Sequence, residues 1–136
     1  MLVETLETAA SWRELPDLYR AVREALTGAL AARGTPPQVL THVSHVYPTG
    51  ASLYLTFLAL AQRGEELAQW ADAKQAASRA ILAAGGTITH HHGVGADHRA
   101  WYGKEIGPVG VVALQGLKDA LDPTGICNPG ILLPER

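Results

Sequence analysis

Hydrophobic residues along this chain follow two different periods. Residues 2–8 and 38–46 alternate apolar and polar side chains, the pattern of a half-buried strand. Residues 51–61 form a third such segment, rich in apolar and aromatic side chains. Residues 11–32 and 65–84 instead place apolar side chains three and four positions apart, the stripe of an amphipathic helix. In the first helix the stripe is Leu18, Val22, Ala25, Leu26, Ala29 and Leu30. In the second, Leu67, Trp70, Ala73, Ala77, Ile81 and Ala84 are expected to face inward.

The punctuation agrees with these periods. Ser11, followed three positions later by Glu14, predicts a capping box at the start of the first helix. Gly34 with Pro36 and Pro37 ends that helix, and Gly85-Gly86 ends the second. The turn Tyr47-Pro48-Thr49-Gly50 joins two strands as a hairpin. In the strand before it, alternation puts Val39, Thr41, Val43 and His45 on one face and Leu40, His42, Ser44 and Val46 on the other. Residues 87–89 read as a short fourth strand, residues 97–103 as a turn or two of helix, and residues 109–121 as a third helix. The order β-α-β-β-α-β and then helix predicts an α+β fold. It would be a ferredoxin-like antiparallel sheet with helices on one face, followed by a C-terminal helix and an extended apolar tail, residues 131–133.

A length of 136 residues suits a single domain with a sizeable core. The net charge of −2 gives no reason to expect nucleic acid or an anionic membrane as partner. The one cysteine, Cys127, excludes an internal disulfide and fits a reducing, cytoplasmic setting. No apolar run reaches membrane-spanning length, and no basic segment precedes an apolar one at the start.

The chemistry concentrates in the run Thr87-Ile-Thr-His-His-His-Gly-Val-Gly95. Glycine admits positive φ and close approach to a ligand, and imidazole exchanges protons near neutral pH. His90, His91 and His92 have three readings: solvated loop residues, metal ligands, or groups that contact substrate and move protons. If strand 87–89 continues, His90 and His92 point one way and His91 the other. A metal would then need His42, His45 or His98 as a third ligand, and without a His-Glu-x-x-His or cysteine pair no metal site is expected. Tyr54 is either a packing residue or a proton carrier. Its neighbours Ser52 and Thr56 make its face the wetter one. Gly93 and Gly95 lack the companions of a phosphate-binding loop.

Four segments together resemble a known family. They are Leu6-Glu-Thr-Ala-Ala-Ser-Trp12, Thr49-Gly-Ala-Ser-Leu-Tyr54, Gly85-Gly-Thr-Ile-Thr-His-His-His-Gly-Val-Gly95 and Leu121-Asp-Pro-Thr-Gly-Ile-Cys-Asn-Pro-Gly130. In this order they resemble the C-terminal portion of FAD-linked oxidases of the vanillyl-alcohol oxidase type. Within that family they resemble the branch that exchanges an acyl for an alkyl group on dihydroxyacetone phosphate, making ether lipids. The family's 2-hydroxy-acid dehydrogenases carry Gly-Glu-His-Gly-Ile-Gly and Asn-Leu-His where this chain has His90 to Gly95 and Ser52-Leu53-Tyr54.

The resemblance implies FAD as cofactor, used without net redox change, and a phosphorylated substrate with a long alkyl chain. It implies catalytic roles for Tyr54, His90, His91 and His92, and cofactor contacts from His92, Gly93 and Asn128. It further implies that residues 1–136 are one cap, or substrate, domain with the C-terminal segment. The FAD-binding domain would be absent from this chain and act as its partner, so the chain alone would be inactive. Apolar residues 131–133, facing the missing part, would favour a homo-oligomer. The complete enzyme would be cytoplasmic or lie at a membrane surface. Two other readings remain: the C-terminal domain of an FAD-dependent 2-hydroxy-acid dehydrogenase, and a non-catalytic oligomerising module.

Overall fold

The computed structural model describes residues 1–134. It is α+β: strand β1 (Leu2–Ser11), helix α1 (Leu15–Ala32), strands β2 (Gln38–Val46) and β3 (Gly50–Ala59), and helices α2 (Glu66–Ala83) and α3 (Arg99–Leu121). The chain divides into two compact units, Met1–His91 and the segment from His92 onward. Among the described residues, no helix is long and apolar enough to cross a membrane.

The first unit is a three-stranded antiparallel sheet in the order β1-β3-β2. Register decides what each face carries. Leu6 pairs with Leu55 and Thr8 with Leu53, while Val39 and Glu4 flank Phe57. These side chains face the helices, and Leu6, Leu53, Leu55 and Phe57 are buried. α1 lays Leu15, Leu18, Val22, Leu26 and Leu30 on this face, all buried, as the helical period requires. Full burial of each such aliphatic side chain contributes about 1.5–3 kcal/mol. No helix of this unit covers the other face, with Thr5, Glu7, Ser52, Tyr54, Thr56, Leu40 and His42.

α2 departs from its expected stripe. Leu67 is 84% exposed, and Gln69 is buried instead. Burying an amide is costly unless it is bonded. Gln69 meets this need by donating to Thr35 Oγ1 and to the Leu60 carbonyl, each at 2.8 Å, and by accepting from the Gln62 N–H at 3.1 Å. Arg33 ties the end of α1 to α2 through Asp72 at 2.7 Å. The capping box is also displaced. Ser11 does hydrogen-bond Glu14, at 2.8 Å, but Ser11 closes β1 and the helix begins only at Leu15.

The fourth strand is not formed among the described residues, so the sheet has one strand fewer than the ferredoxin-like arrangement expected. Residues 87–90 nonetheless run along the β1 edge. Thr87 N–H donates to the Ala9 carbonyl and His90 N–H to the Glu7 carbonyl, both at 3.0 Å, and Thr8 Oγ1 donates to the Thr87 carbonyl at 2.6 Å. Gly85 and Gly86 deliver the chain to this edge. Gly85 has φ +74°, and a Cβ on Gly86 would stand 2.8 Å from both Leu18 Cδ1 and Thr8 Oγ1.

In the second unit, α3 is broken at Gly107, whose φ of 70° and ψ of 173° are not helical, with Pro108 following. The two expected helices are thus the two arms of α3. Asp122 closes the second arm by accepting from the N–H groups of Ile126 (3.1 Å) and Cys127 (2.9 Å) and from Lys118 Nζ. Residues 131–133 are bent rather than extended: Leu132 has φ +71°, and Leu133 is buried.

Candidate active site

The centre of the polar cluster is Glu7, which sequence reasoning passed over. Its side chain is fully buried on the helix-free face of β1. Ser52 Oγ donates to Glu7 Oε1 at 2.9 Å across the β1–β3 pair. Nδ1 of His90 lies 3.2 Å and Nδ1 of His45 3.3 Å from the same oxygen. Nε2 of His91 lies 3.3 Å from Glu7 Oε2. The three rings also meet one another, His45 with His90 at 5.0 Å and with His91 at 4.8 Å between centroids. Burial pushes the Glu7 carboxyl up. Hydrogen bonds from Ser52 and His90, the charge of His91 and the bond from His45 outweigh burial and hold it below its ordinary value of 4.5.

Local geometry explains how residues far apart in sequence reach one carboxylate. β2 carries a bulge: Val43 pairs with Leu53 and Val46 with Ala51, so β2 has one residue more than β3 in between. The extra residue reverses the alternation. His45, expected on the Val39 face, turns to the helix-free face, where its N–H donates to Ser52 Oγ at 2.9 Å. The alternation expected for His90 and His91 fails for a related reason. The segment is not a strand, and His91 has φ +43°. Both rings therefore turn toward Glu7.

Tyr54 stands opposite Glu7 in the β1–β3 register and opposite His42 in the β2–β3 register. It shares their face, and its ring stacks on His42 at 5.1 Å. The structure thus brings Tyr54, His90 and His91 to one face of one unit. His92, Gly93 and Asn128 belong to the second unit. There His92 and Asn128 are exposed, and Gly93 and Asn128 have φ of +82° and +46°. The tail bearing Asn128 folds back on the glycine loop: Leu132 N–H donates to the Gly95 carbonyl at 3.1 Å, and Arg99 to the Gly130 carbonyl at 2.8 Å.

A second tyrosine joins the cluster. Tyr47, in the hairpin turn, places its hydroxyl 3.1 Å from His90 Nε2. Nothing in the local sequence distinguishes Tyr47 from an ordinary turn residue, and Glu7 reads simply as a polar position in an alternating strand. The ligand atoms of Glu7, His45, His90 and His91 lie within 4.8 Å of one another, a spacing at which they could hold a metal ion. This group differs from any histidine set that the sequence suggested. What the arrangement supplies directly is a buried carboxylate that orients imidazoles, with one phenol on the same sheet face and another in the hairpin turn.

This combination of an α+β sheet, a histidine–glycine loop and an Asp-Pro…Asn-Pro-Gly tail has a family counterpart. A family model for the C-terminal domain of FAD linked oxidases matches residues 1–132, and the chain belongs to that family. Among its relatives, the alkyldihydroxyacetonephosphate synthase of Dictyostelium discoideum is 31% identical over 134 residues, covering 98% of this chain and 22% of that protein. The synthase of Trypanosoma brucei brucei is 34% identical over 131 residues, 96% of this chain and 21% of the relative. A solved structure of alkyldihydroxyacetonephosphate synthase superposes with a TM-score of 0.61 at 26% identity, covering 93% of this chain and 20% of that one. The chain therefore spans about a fifth of the length of these relatives.

Proposed function

We propose that this chain is the substrate-facing, C-terminal portion of a flavoenzyme that exchanges the acyl group of an acylated dihydroxyacetone phosphate for a long-chain alkyl group. The observation that carries this reading is the placement of Tyr54 on the sheet face where His90 and His91 surround Glu7. The resemblance to the synthases supports the substrate class.

Two local features support a flavin site. Within the first unit no helix covers the sheet face carrying Tyr54, and within the second Gly93 and Gly95 have positive φ, with nothing within 4 Å of a Cβ built on either. His92, Gly93 and Asn128 are the residues proposed to contact the cofactor, with an FAD-binding domain as partner. A bound flavin supplies a nucleophilic nitrogen and an electron reservoir at the substrate carbon. The side chains of this chain supply the proton transfers. Tyr54 exchanges a proton with the substrate, and His90, His91 and His92 receive or return it as the carboxylate leaves and the alcohol enters. Leu114, Leu117, Leu121, Ile131 and Leu133 line an apolar groove of about 440 Å³ in the second unit. This groove suits an alkyl chain.

The test joins this chain to an FAD-binding portion and follows acyl-for-alkyl exchange with palmitoyl-dihydroxyacetone phosphate and cetyl alcohol. Tyr54→Phe, His91→Ala and His92→Ala should each lower turnover about 10²-fold or more, with circular dichroism unchanged. Full activity in all three variants rejects the assigned roles. Flavin reduction by a 2-hydroxy acid, without exchange, favours a dehydrogenase instead. A stoichiometric non-flavin partner in the absence of either activity favours a binding module.

A further inference from the structure

The hydrogen bonds around His90 form a directed chain. The Glu7 carboxylate, fully buried and held by Ser52, faces His90 Nδ1 at 3.2 Å. An ionised carboxylate only accepts, so Nδ1 carries the proton. His90 Nε2 is then an acceptor, and the group 3.1 Å from it is the Tyr47 hydroxyl. This carboxylate–imidazole–hydroxyl order is the arrangement by which a buried acid fixes a tautomer and lets the imidazole draw a proton from a hydroxyl.

Tyr47 is held firmly enough to serve. Its N–H donates to the Gly50 carbonyl at 2.8 Å, and its own carbonyl accepts from Trp12 Nε1 at 3.2 Å. The approach of β3 to β1 at this point depends on Gly50, where a Cβ would stand 2.1 Å from the Ala10 carbonyl oxygen. Beside Tyr47 lies an open cleft of about 350 Å³, bordered also by Ala9, Ser11, Thr49 and Thr87. Tyr47 is thus a half-exposed residue with a fixed backbone, its hydroxyl bonded to an imidazole, and it borders a cleft.

We infer that Glu7, His90 and Tyr47 form a proton relay in which Tyr47 is a second acid/base residue, serving the hydroxyl of an alcohol substrate bound in the adjoining cleft. The inference deepens the reading given above and rests on it for the alcohol. The alcohol O–H gives its proton to the Tyr47 oxygen as the Tyr47 proton passes to His90 Nε2. The resulting imidazolium keeps its Nδ1–H on Glu7, and the alkoxide is left as the nucleophile. When the displaced acyl group leaves as carboxylate, the proton passes from His90 back through Tyr47 to that carboxylate or to water, which restores all three groups. Glu7 is here a positioning residue, acting only through His90.

Two measurements test it. The first uses this chain alone, labelled with ¹⁵N at histidine, and reads the tautomer of neutral His90 by long-range proton–nitrogen correlation. Nδ1–H is expected, and Tyr47→Phe should move the Nε2 resonance toward that of a free imine nitrogen. Glu7→Leu should release the tautomer. If that variant does not fold, Glu7→Gln, which keeps the shape, should weaken the preference. An Nε2–H tautomer in the wild type, or an Nε2 resonance indifferent to Tyr47→Phe, overturns the relay. So does cobalt(II) binding whose absorption bands vanish in His90→Ala, because a ring nitrogen that the relay needs would then be a ligand. The second measurement uses the flavin-loaded assembly. Tyr47→Phe should lower kcat with cetyl alcohol about 10²-fold and leave KM for the acyl substrate unchanged. Full kcat in Tyr47→Phe, with Tyr54→Phe still impaired, overturns the role of Tyr47 while leaving the proposed reaction standing.

Discussion

Glu7 carries the largest share of consequence of any single residue in the first unit. It is a buried acid with a hydroxyl and three imidazoles around it. Replacing it removes the one acceptor that these donors share. Glu7→Gln is expected to cost about 1–3 kcal/mol at neutral pH, the penalty for leaving buried polar partners imperfectly bonded. The sign of the pH effect follows from the direction of the shift. The folded carboxyl sits below its ordinary value of 4.5, so its stabilisation is fully present above that value and is lost as pH falls through the lower, folded one. Urea unfolding of wild type and Glu7→Gln should therefore differ most at neutral pH and converge in acid. A gap that is constant with pH would show that Glu7 contributes by shape and not by charge.

At the scale of elements, two devices position the cluster. The bulge in β2 turns His45 to the helix-free face, and the Gly85-Gly86 turn delivers residues 87–91 to the β1 edge. The two glycines have different reasons to be there. Gly85 supplies the left-handed φ at the end of α2, whereas Gly86 supplies space between Leu18 and Thr8. Gly86→Ala should push on both neighbours, one a core leucine and the other the donor to the Thr87 carbonyl. It is expected to cost about 1–3 kcal/mol by overpacking, seen as a lower urea midpoint. It should also perturb the His90 and His91 resonances, since the strained segment leads directly into them. A silent Gly86→Ala would mean that the edge segment adjusts freely.

For the whole molecule, the sheet has one face that builds the core and one that carries the polar cluster. Leu26, on α1, is fully buried against the first face, while Leu40, in the helix-free face of β2, is 51% exposed. Leu26→Ala should cost about 2–5 kcal/mol through lost burial and a residual cavity. Leu40→Ser should stay within about 0.5 kcal/mol, as a surface change away from such features does. Thermal or urea unfolding of the two variants checks this, and a large loss in Leu40→Ser would show that the second face is covered. The chain belongs to the FAD-linked oxidase family and corresponds to about a fifth of the length of the synthase relatives.

Much of this was already legible in the sequence. The stripe of the first helix, the existence of the second, the β2–β3 hairpin, the separation of residues 97–103 from the helix of 109–121 and the α+β class all follow from periodicity and from glycine and proline, because these are local preferences repeated over many residues. The histidine run and Tyr54 stood out by chemistry, and the four family segments by resemblance. Tertiary structure decided the rest. One extra residue in β2 reversed the face of His45, and positive φ at His91 cancelled the alternation between His90 and His91. Glu7, 83 positions before His90, became its partner only when β1 met the segment that follows α2. The sequence by itself determined the helices and the three paired strands, and marked the histidine run and Tyr54 as groups able to move protons. Which groups share one carboxylate depended on strand register and burial, long-range quantities that no local pattern encodes.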